Sequence, residues 1–258
     1  MTTDFKAVGG GGMWKARMLL FESLPSTNRW AMEHLGECRH GDIVVAGFQT
    51  AGRGRFERSW VCPAGRGLAL SAVLCPPAFP ADLIPATGFV AAIALLRTLA
   101  AFDINAMLKW PNDVVVDGRK ISGILSEMDS ATGAVVLGIG LNVNLTADDL
   151  LAAGLADTAT SMLLIRKREY SPEVVAAVLL AHLEATFDGA GRKGFDALVR
   201  EWAHHDWLTG HTVEIQGPHG PARGAYDGID STGALRLLDS SGNRQVFTAG
   251  DITRLRKT

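Results

Sequence analysis

The chain has 258 residues and a mass of 27.4 kDa, enough for one large domain or for a large and a small one. Hydrophobic residues make up 47% and charged residues 20%, the make-up of a soluble globular protein rather than a disordered one. Lys and Arg (25) against Asp and Glu (27) leave a formal charge of −2, which excludes a whole-protein attraction to nucleic acid or to an acidic bilayer.

Taken in chain order, the sequence opens without a charged start ahead of a long apolar run, so no signal peptide is expected. Gly9 to Gly12 form a tether, which leaves residues 1–8 either unstructured or an accessory strand. Residues 18–22 read as a strand, 26–35 as a short helix after the Pro25 turn, and 43–48 as a second strand. A Gly/Arg-rich loop over 49–67 exceeds ordinary connection lengths, and loops of that kind are commonly functional. A strand over 68–74 follows it. The segment 82–102 predicts a helix whose ordered part starts near Pro85; its longest apolar stretch, around Phe89 to Phe102, is broken by Arg97 and is too short to span a bilayer.

Strands are predicted over 106–110, 114–116, 121–128 and 135–144. Ser171 before Pro172 marks the start of a helix over 171–187, and 194–204 reads as another amphipathic helix. From 210 onward the texture changes to short strands over 211–215, 222–226, 234–238, 244–247 and 251–253, with Gly, Asp and Ser turns between them. That spacing suits a compact five-stranded barrel. The expected organisation is an N-terminal segment (1–17), an α+β domain with a mixed sheet backed by helices (18–209), and a small all-β domain (210–258).

Four clusters carry the chemistry. In Gln49-Thr50-Ala51-Gly52-Arg53-Gly54-Arg55, continuing to Arg58 and Trp60, the glycines permit close backbone approach and the arginines present planar forks to carboxylate or phosphate. A solvated glycine hairpin is the bland alternative. In Lys109-Trp110-Pro111-Asn112-Asp113 a turn follows a large apolar residue, so the corner is expected against the core with Lys109, Asn112 and Asp113 fixed at its tip. Asn112 offers an amide oxygen of the kind hard cations accept, and Asp113 a carboxylate. The third cluster is Gly118-Arg119-Lys120-Ile121-Ser122-Gly123-Ile124-Leu125-Ser126-Glu127. Strict alternation would set Lys120, Ser122 and Ile124 on one face and Ile121, Gly123 and Leu125 on the other. Gly138-Ile139-Gly140-Leu141-Asn142-Val143-Asn144 is the fourth, with two strand glycines but no following helix, which excludes a dinucleotide fingerprint. Cys38, Cys62 and Cys75, odd in number and without CxxC spacing, read as reduced thiols of a cytosolic protein, and the adjacent His204 and His205 diverge too far to bind one metal.

Together with Ser26-Thr27-Asn28, these clusters in this order closely resemble the biotin–protein ligases (biotin–[acetyl-CoA-carboxylase] ligases), strongly from about Leu20 to Asn144 and again in a small SH3-like C-terminal barrel. The resemblance implies an enzyme that forms biotinyl-5′-AMP from biotin and ATP, with Mg2+, and transfers biotin to a lysine of a biotin carboxyl carrier protein. It assigns Ser26, Thr27, Asn28 and Gln49 to the ureido ring of biotin, and Arg53, Gly54 and Arg55 to a loop around its tail and the phosphate. Lys120 would steady the reacting carboxylate; Arg55, Arg58, Trp60, Asn112 and Asn142 would stand on the ATP side, with Asn112 near the metal through the phosphates. Asp113 is either the base for the acceptor amine or a support for Asn112. Phe56-Glu57 departs from the second Gly/Arg pair of many relatives, making that half of the loop less cationic.

The segment before Met18 is shorter than the helix-turn-helix of bifunctional members, so a monofunctional ligase without nucleic-acid or membrane partners is expected, cytoplasmic, with monomer and homodimer both open. A lipoate–protein ligase and a non-catalytic biotin-binding sensor are the rival readings; the second would need neither Lys120 nor the ATP-side asparagines.

Overall fold

A computed structural model describes residues 3–5, 17–77, 84, 86–218 and 220–257. Eight strands form one mixed sheet: β1 (Thr3–Phe5), β2 (Met18–Leu24), β3 (Ile43–Gln49), β4 (Gly67–Leu74), β5 (Met107–Lys109), β6 (Asp113–Val116), β7 (Arg119–Met128) and β8 (Val135–Asn142). Their order is β1-β2-β3-β4-β8-β7-β6-β5, with β2 and β3 parallel and the other neighbours antiparallel. The accessory-strand alternative for the N-terminus therefore holds, since residues 3–5 pair with β2; the glycine tether lies outside the described residues.

The period-two alternation of β4 and β8 splits the sheet into two unlike faces. Leu68, Leu70, Ala72 and Leu74, with Leu137, Ile139 and Leu141, enter the main core. That core is covered by α2 (Thr87–Ala101), α5 (Pro172–Lys193) and α6 (Phe195–His204). Val73 and Val136 face the other way, into a smaller cluster with Ala31 of α1 (Thr27–Glu33). By the same alternation Gly138, Gly140 and Asn142 lie on the α1 face, and there the cavity opens. Ser26 caps α1, its hydroxyl accepting from the Arg29 amide, and Ser171 with Pro172 starts α5 as the sequence predicts. The 82–102 helix begins at Thr87; Pro85 is outside the described residues. Among the described helices, α5 is the one long and apolar enough to cross a membrane, and its Val175, Leu179, Leu183 and Phe187 are buried in the core instead.

Two short helices went unpredicted, α3 (Ala147–Ala152) and α4 (Met162–Arg166), each started by a side-chain cap at Thr146 and Ser161. Beyond them the five predicted C-terminal strands all form: β9 (His211–Gly217), β10 (Gly220–Ile229), β11 (Leu235–Leu238), β12 (Arg244–Phe247) and β13 (Asp251–Lys257). They make an antiparallel sheet in the order β12-β11-β10-β9-β13, without closure between its end strands among the described residues. Val213, Ile215, Leu235 and Leu237 join the main core, and the Trp110 indole donates to the Gly233 carbonyl at 3.0 Å, so the small sheet is docked by buried contacts.

Candidate active site

The cavity on the α1 face has a volume of about 410 Å3, within the range usual for small-molecule sites. Its walls include every residue to which the resemblance assigns a role: Ser26, Thr27, Asn28 and Gln49; Arg53, Gly54, Arg55, Arg58 and Trp60; and Asn112, Asp113, Lys120 and Asn142. Five cationic side chains (Arg53, Arg55, Arg58, Lys109 and Lys120) line it against three carboxylates, Asp113, Asp157 and Asp251. In a chain whose net charge is −2, that local excess marks a place for an anion.

One end is a polar network at the start of α1. The Thr27 amide donates to Gln49 Oε1 at 2.8 Å, and the Thr27 hydroxyl is 3.2 Å from the same oxygen. Ser71, a buried hydroxyl in the otherwise apolar β4, stands 2.7 Å from Thr27 Oγ1 and 2.6 Å from Asn28 Oδ1. The Asn28 amide donates to the Leu125 carbonyl at 3.0 Å and to Glu127 Oε2 at 2.8 Å. Both Asn28 hydrogens are thus engaged, leaving acceptor capacity on Oδ1 as what the side chain can offer a ligand. A Cβ on Gly138 would fall 2.2 Å from that oxygen, so this strand glycine seats Asn28 against the sheet.

The Gly/Arg loop is an ordered hairpin. Trp60 N donates to Gly52 O at 2.9 Å, Gly54 N to Arg58 O at 2.7 Å, and Arg53 bridges Ser59, so residues 55–57 form its tip, a tight turn kinked at Phe56. This returns Trp60 over the sheet, where a Cβ on Gly140 would meet its indole at 2.4 Å and one on Gly123 would meet it at 3.2 Å. Gly123 and Gly140 are directly paired across β7 and β8, making a smooth floor for the ring. Its Nε1 is buried without a hydrogen-bond partner among the described residues, and the Lys120 ammonium lies 5.6 Å from the ring centroid.

Strict alternation on β7 fails for a definite reason. The register with β6 slips between Val114 and Val115, which pair with Ser122 and Lys120, so Ile121 is an extra residue in a bulge. The bulge puts Lys120 on the same side as Gly123, where its Nζ would lie 2.9 Å from an added Cβ, and sends both Ile121 and Ile124 to the core. Lys120 therefore shares a sheet face with Gly123 and Leu125 rather than with Ser122 and Ile124.

The Trp110 corner is rigid, as its residues imply. Trp110 is buried, Asn112 donates through Nδ2 to Ile124 O at 2.7 Å, and Ile124 N donates back to Asn112 O at 3.0 Å. Asp113 Oδ1 lies 2.6 Å from Lys120 Nζ, an ion pair at the cavity wall. Asn142 donates to Thr160 O at 2.9 Å, again keeping its amide oxygen as the free group.

Arg55 donates to Asn112 Oδ1 at 3.4 Å and to Gly250 O at 3.2 Å, both long contacts to neutral acceptors. Burial pulls its pKa below the ordinary value, a pull opposed by Asp251 and Asp113. An anion entering the cavity would offset that cost by favouring the charged guanidinium. Arg58 pairs with Asp251, its Nη1 3.2 Å from Oδ1. Phe56 takes a left-handed backbone (φ 53°), is 60% exposed, and lies under the Arg55 guanidinium at 4.8 Å.

Sequence reasoning missed Ser71, Glu127 as a contact group, and Asp251. A lone serine in an apolar strand was a usable signal for the first. Nothing local marks Asp251, which meets Arg58 across 193 positions.

A mixed sheet carrying a cationic small-molecule cavity, with a small all-β unit reaching over its mouth, is the class of protein these features define. Residues 20–144 match the biotin/lipoate A/B protein ligase family and residues 209–254 match the biotin protein ligase C terminal domain. The chain is 31% identical over 256 residues to the biotin–[acetyl-CoA-carboxylase] ligase of Mycobacterium tuberculosis, covering 96% of this chain and 92% of that one. A bifunctional ligase/repressor of Bacillus spizizenii is 32% identical over 81% of this chain, but the chain spans only 65% of that protein's length. The solved biotin protein ligase of Aquifex aeolicus in complex with biotin and ATP superposes with a TM-score of 0.77 at 26% identity, covering 93% of this chain and 99% of that one. The chain belongs to the biotin–[acetyl-CoA-carboxylase] ligases of the biotin/lipoate A/B protein ligase family.

Proposed function

We propose that the chain joins biotin to a lysine of a biotin carboxyl carrier protein in two steps through biotinyl-5′-AMP. The observation that carries this reading is the gathering of Arg55 and Lys120, 65 positions apart in sequence, on one cavity together with the polar network of Thr27, Asn28 and Gln49. That network would hold the ureido ring of biotin, with Ser26 closing its end, and Arg53, Gly54 and Arg55 would enclose its tail and the phosphate.

In the first step a carboxylate oxygen of biotin attacks the α-phosphorus of ATP and pyrophosphate leaves. Two anions must meet, and Lys120 and Arg55, which both line the cavity, would offset their repulsion in a partly desolvated site. Arg58, Trp60, Asn112 and Asn142 would take the nucleotide side. Among the described residues no group of three or more His, Cys, Asp or Glu side chains could hold a metal ion. Magnesium therefore suits the site as MgATP, a substrate whose phosphates and waters supply most ligands, with the cavity-lining Asn112 assigned to its neighbourhood through the phosphates.

In the second step the acceptor ε-amine attacks the acyl carbon and AMP leaves. At neutral pH that amine is protonated, and its neutral form costs about 4.6 kcal/mol from a reference pKa near 10.4. Asp113, a cavity-lining carboxylate paired with Lys120, is the group we assign to take or orient that proton. A carrier domain incubated with the protein, biotin and MgATP, then weighed by mass spectrometry, tests the reading. One biotinyl group per carrier is expected. Modification by lipoate in preference to biotin, or no AMP formation, would overturn it. A cytoplasmic location goes with this reading, where ATP and the carrier are found.

A further inference from the structure

We infer that Glu127 is a positioning residue, one carboxylate that aligns Asn28 and Arg53 for biotin; this rests on the reading above. Glu127 stands outside the cavity lining, on the wall of an adjoining open groove. On β7 it follows Gly123 and Leu125 on the cavity face and pairs with Val136 of β8. Its two oxygens serve different segments. Oε2 accepts from Asn28 Nδ2 at 2.8 Å, and Oε1 receives Arg53 Nη2 at 2.8 Å, across 99 and 74 positions of sequence.

The first contact decides which way the Asn28 amide faces. Turned over, the amide would set Oδ1 against the carboxylate and the Leu125 carbonyl, three acceptors without a donor. With Glu127 in place Oδ1 is held toward Ser71 and the cavity. The second contact fixes the base of the arginine hairpin: Arg53 is 48% exposed at its side chain, and Glu127 is its one ion-pair partner among the described residues. One group thus couples the ring-binding end of the cavity to the loop that covers the tail. A glutamine at 127 retains one acceptor oxygen and turns a donor toward one of its two donor neighbours, so it can serve Asn28 or Arg53 but not both.

The test is steady-state kinetics of pyrophosphate release by wild type, Glu127→Gln, Arg53→Met and the double variant. Glu127→Gln should raise KM for biotin by about tenfold, the scale of one charge-assisted hydrogen bond, while kcat stays within about threefold and KM for ATP within about twofold. In the Arg53→Met background the effect should shrink by at least about threefold, because one of the two neighbours is already gone. Should Glu127→Gln not fold, Glu127→Asp, which keeps the charge one methylene further back, carries the same measurement with the same expected rise in biotin KM. Unchanged biotin KM overturns the inference, as does a parallel loss in kcat and both KM values, or strict additivity with Arg53→Met. A wild-type protein that releases no pyrophosphate from biotin and ATP would instead overturn the ligase reading, so the two failures are distinct.

Discussion

Replacing Lys120 by Ala removes one cation from the wall where two anions are to meet. The ammonium sits on the bulged start of β7, 2.6 Å from Asp113 and over the Trp60 ring, so it is held in place before substrate arrives. Loss of one preorganised group at developing charge typically lowers the rate by ~10²–10³, about 2.7–4 kcal/mol. The stability cost is smaller. Lysine and aspartate are 35% and 22% exposed at their side chains, and pairs this open are worth about 1 kcal/mol or less. For a chain of this size that is a fall in Tm of about 2–4 °C. Pyrophosphate release at saturating biotin and MgATP, followed beside a thermal melt, separates the two. A large rate loss with a small shift in Tm is expected, whereas wild-type release by Lys120→Ala would refute the role.

Arg55→Ala should speed dissociation of biotinyl-AMP more than it destabilises the fold, since the guanidinium gives up two hydrogen bonds to neutral oxygens and a contact with the exposed Phe56 ring; stopped-flow or chase measurement of the off-rate checks this, and an unchanged value counts against it. Gly138→Ala puts a methyl 2.2 Å from Asn28 Oδ1 and should weaken biotin binding by about tenfold or more at retained helix and strand content; calorimetry showing native affinity would defeat the seating argument. Burial pushes the Cys62 and Cys38 thiols up to about 11 and raises Cys75 as well, so the thiolate is the disfavoured form throughout the neutral range. A thiol reagent at pH 8 should therefore react slowly with the native chain and quickly once it is unfolded, the native rate climbing toward pH 11; rapid titration of all three native thiols at pH 8 would contradict it.

Much of the cavity was legible because its residues sit at places where sequence and geometry are tightly linked. Gly138 and Gly140 fall on one face of a regular strand, and Pro111-Asn112 after a buried Trp110 makes a corner wherever it occurs. Three features were not legible. The bulge at Ile121 reverses which residues share a face with Lys120, and a single extra residue leaves no mark in composition. Glu127 and Asp251 act through pairings across 74 or more positions, which no local pattern records. Residues 147–152 and 162–166 form helices too short for a periodic signal, held by caps at Thr146 and Ser161. The C-terminal strands were placed by their turns, yet closure of a barrel depends on tilt and stagger, which turn spacing does not encode.

The arginine hairpin does not belong to the large sheet alone. Arg55 leans on the Gly250 carbonyl and Arg58 on Asp251, so its tip is shared with the turn that leads into β13. Any free energy an anion gains by recruiting those guanidiniums is offset by what the turn gives up. Through that thermodynamic linkage, occupancy of the cavity and the seating of the small unit become two readings of one equilibrium, and a change in either is felt by the other in equal measure.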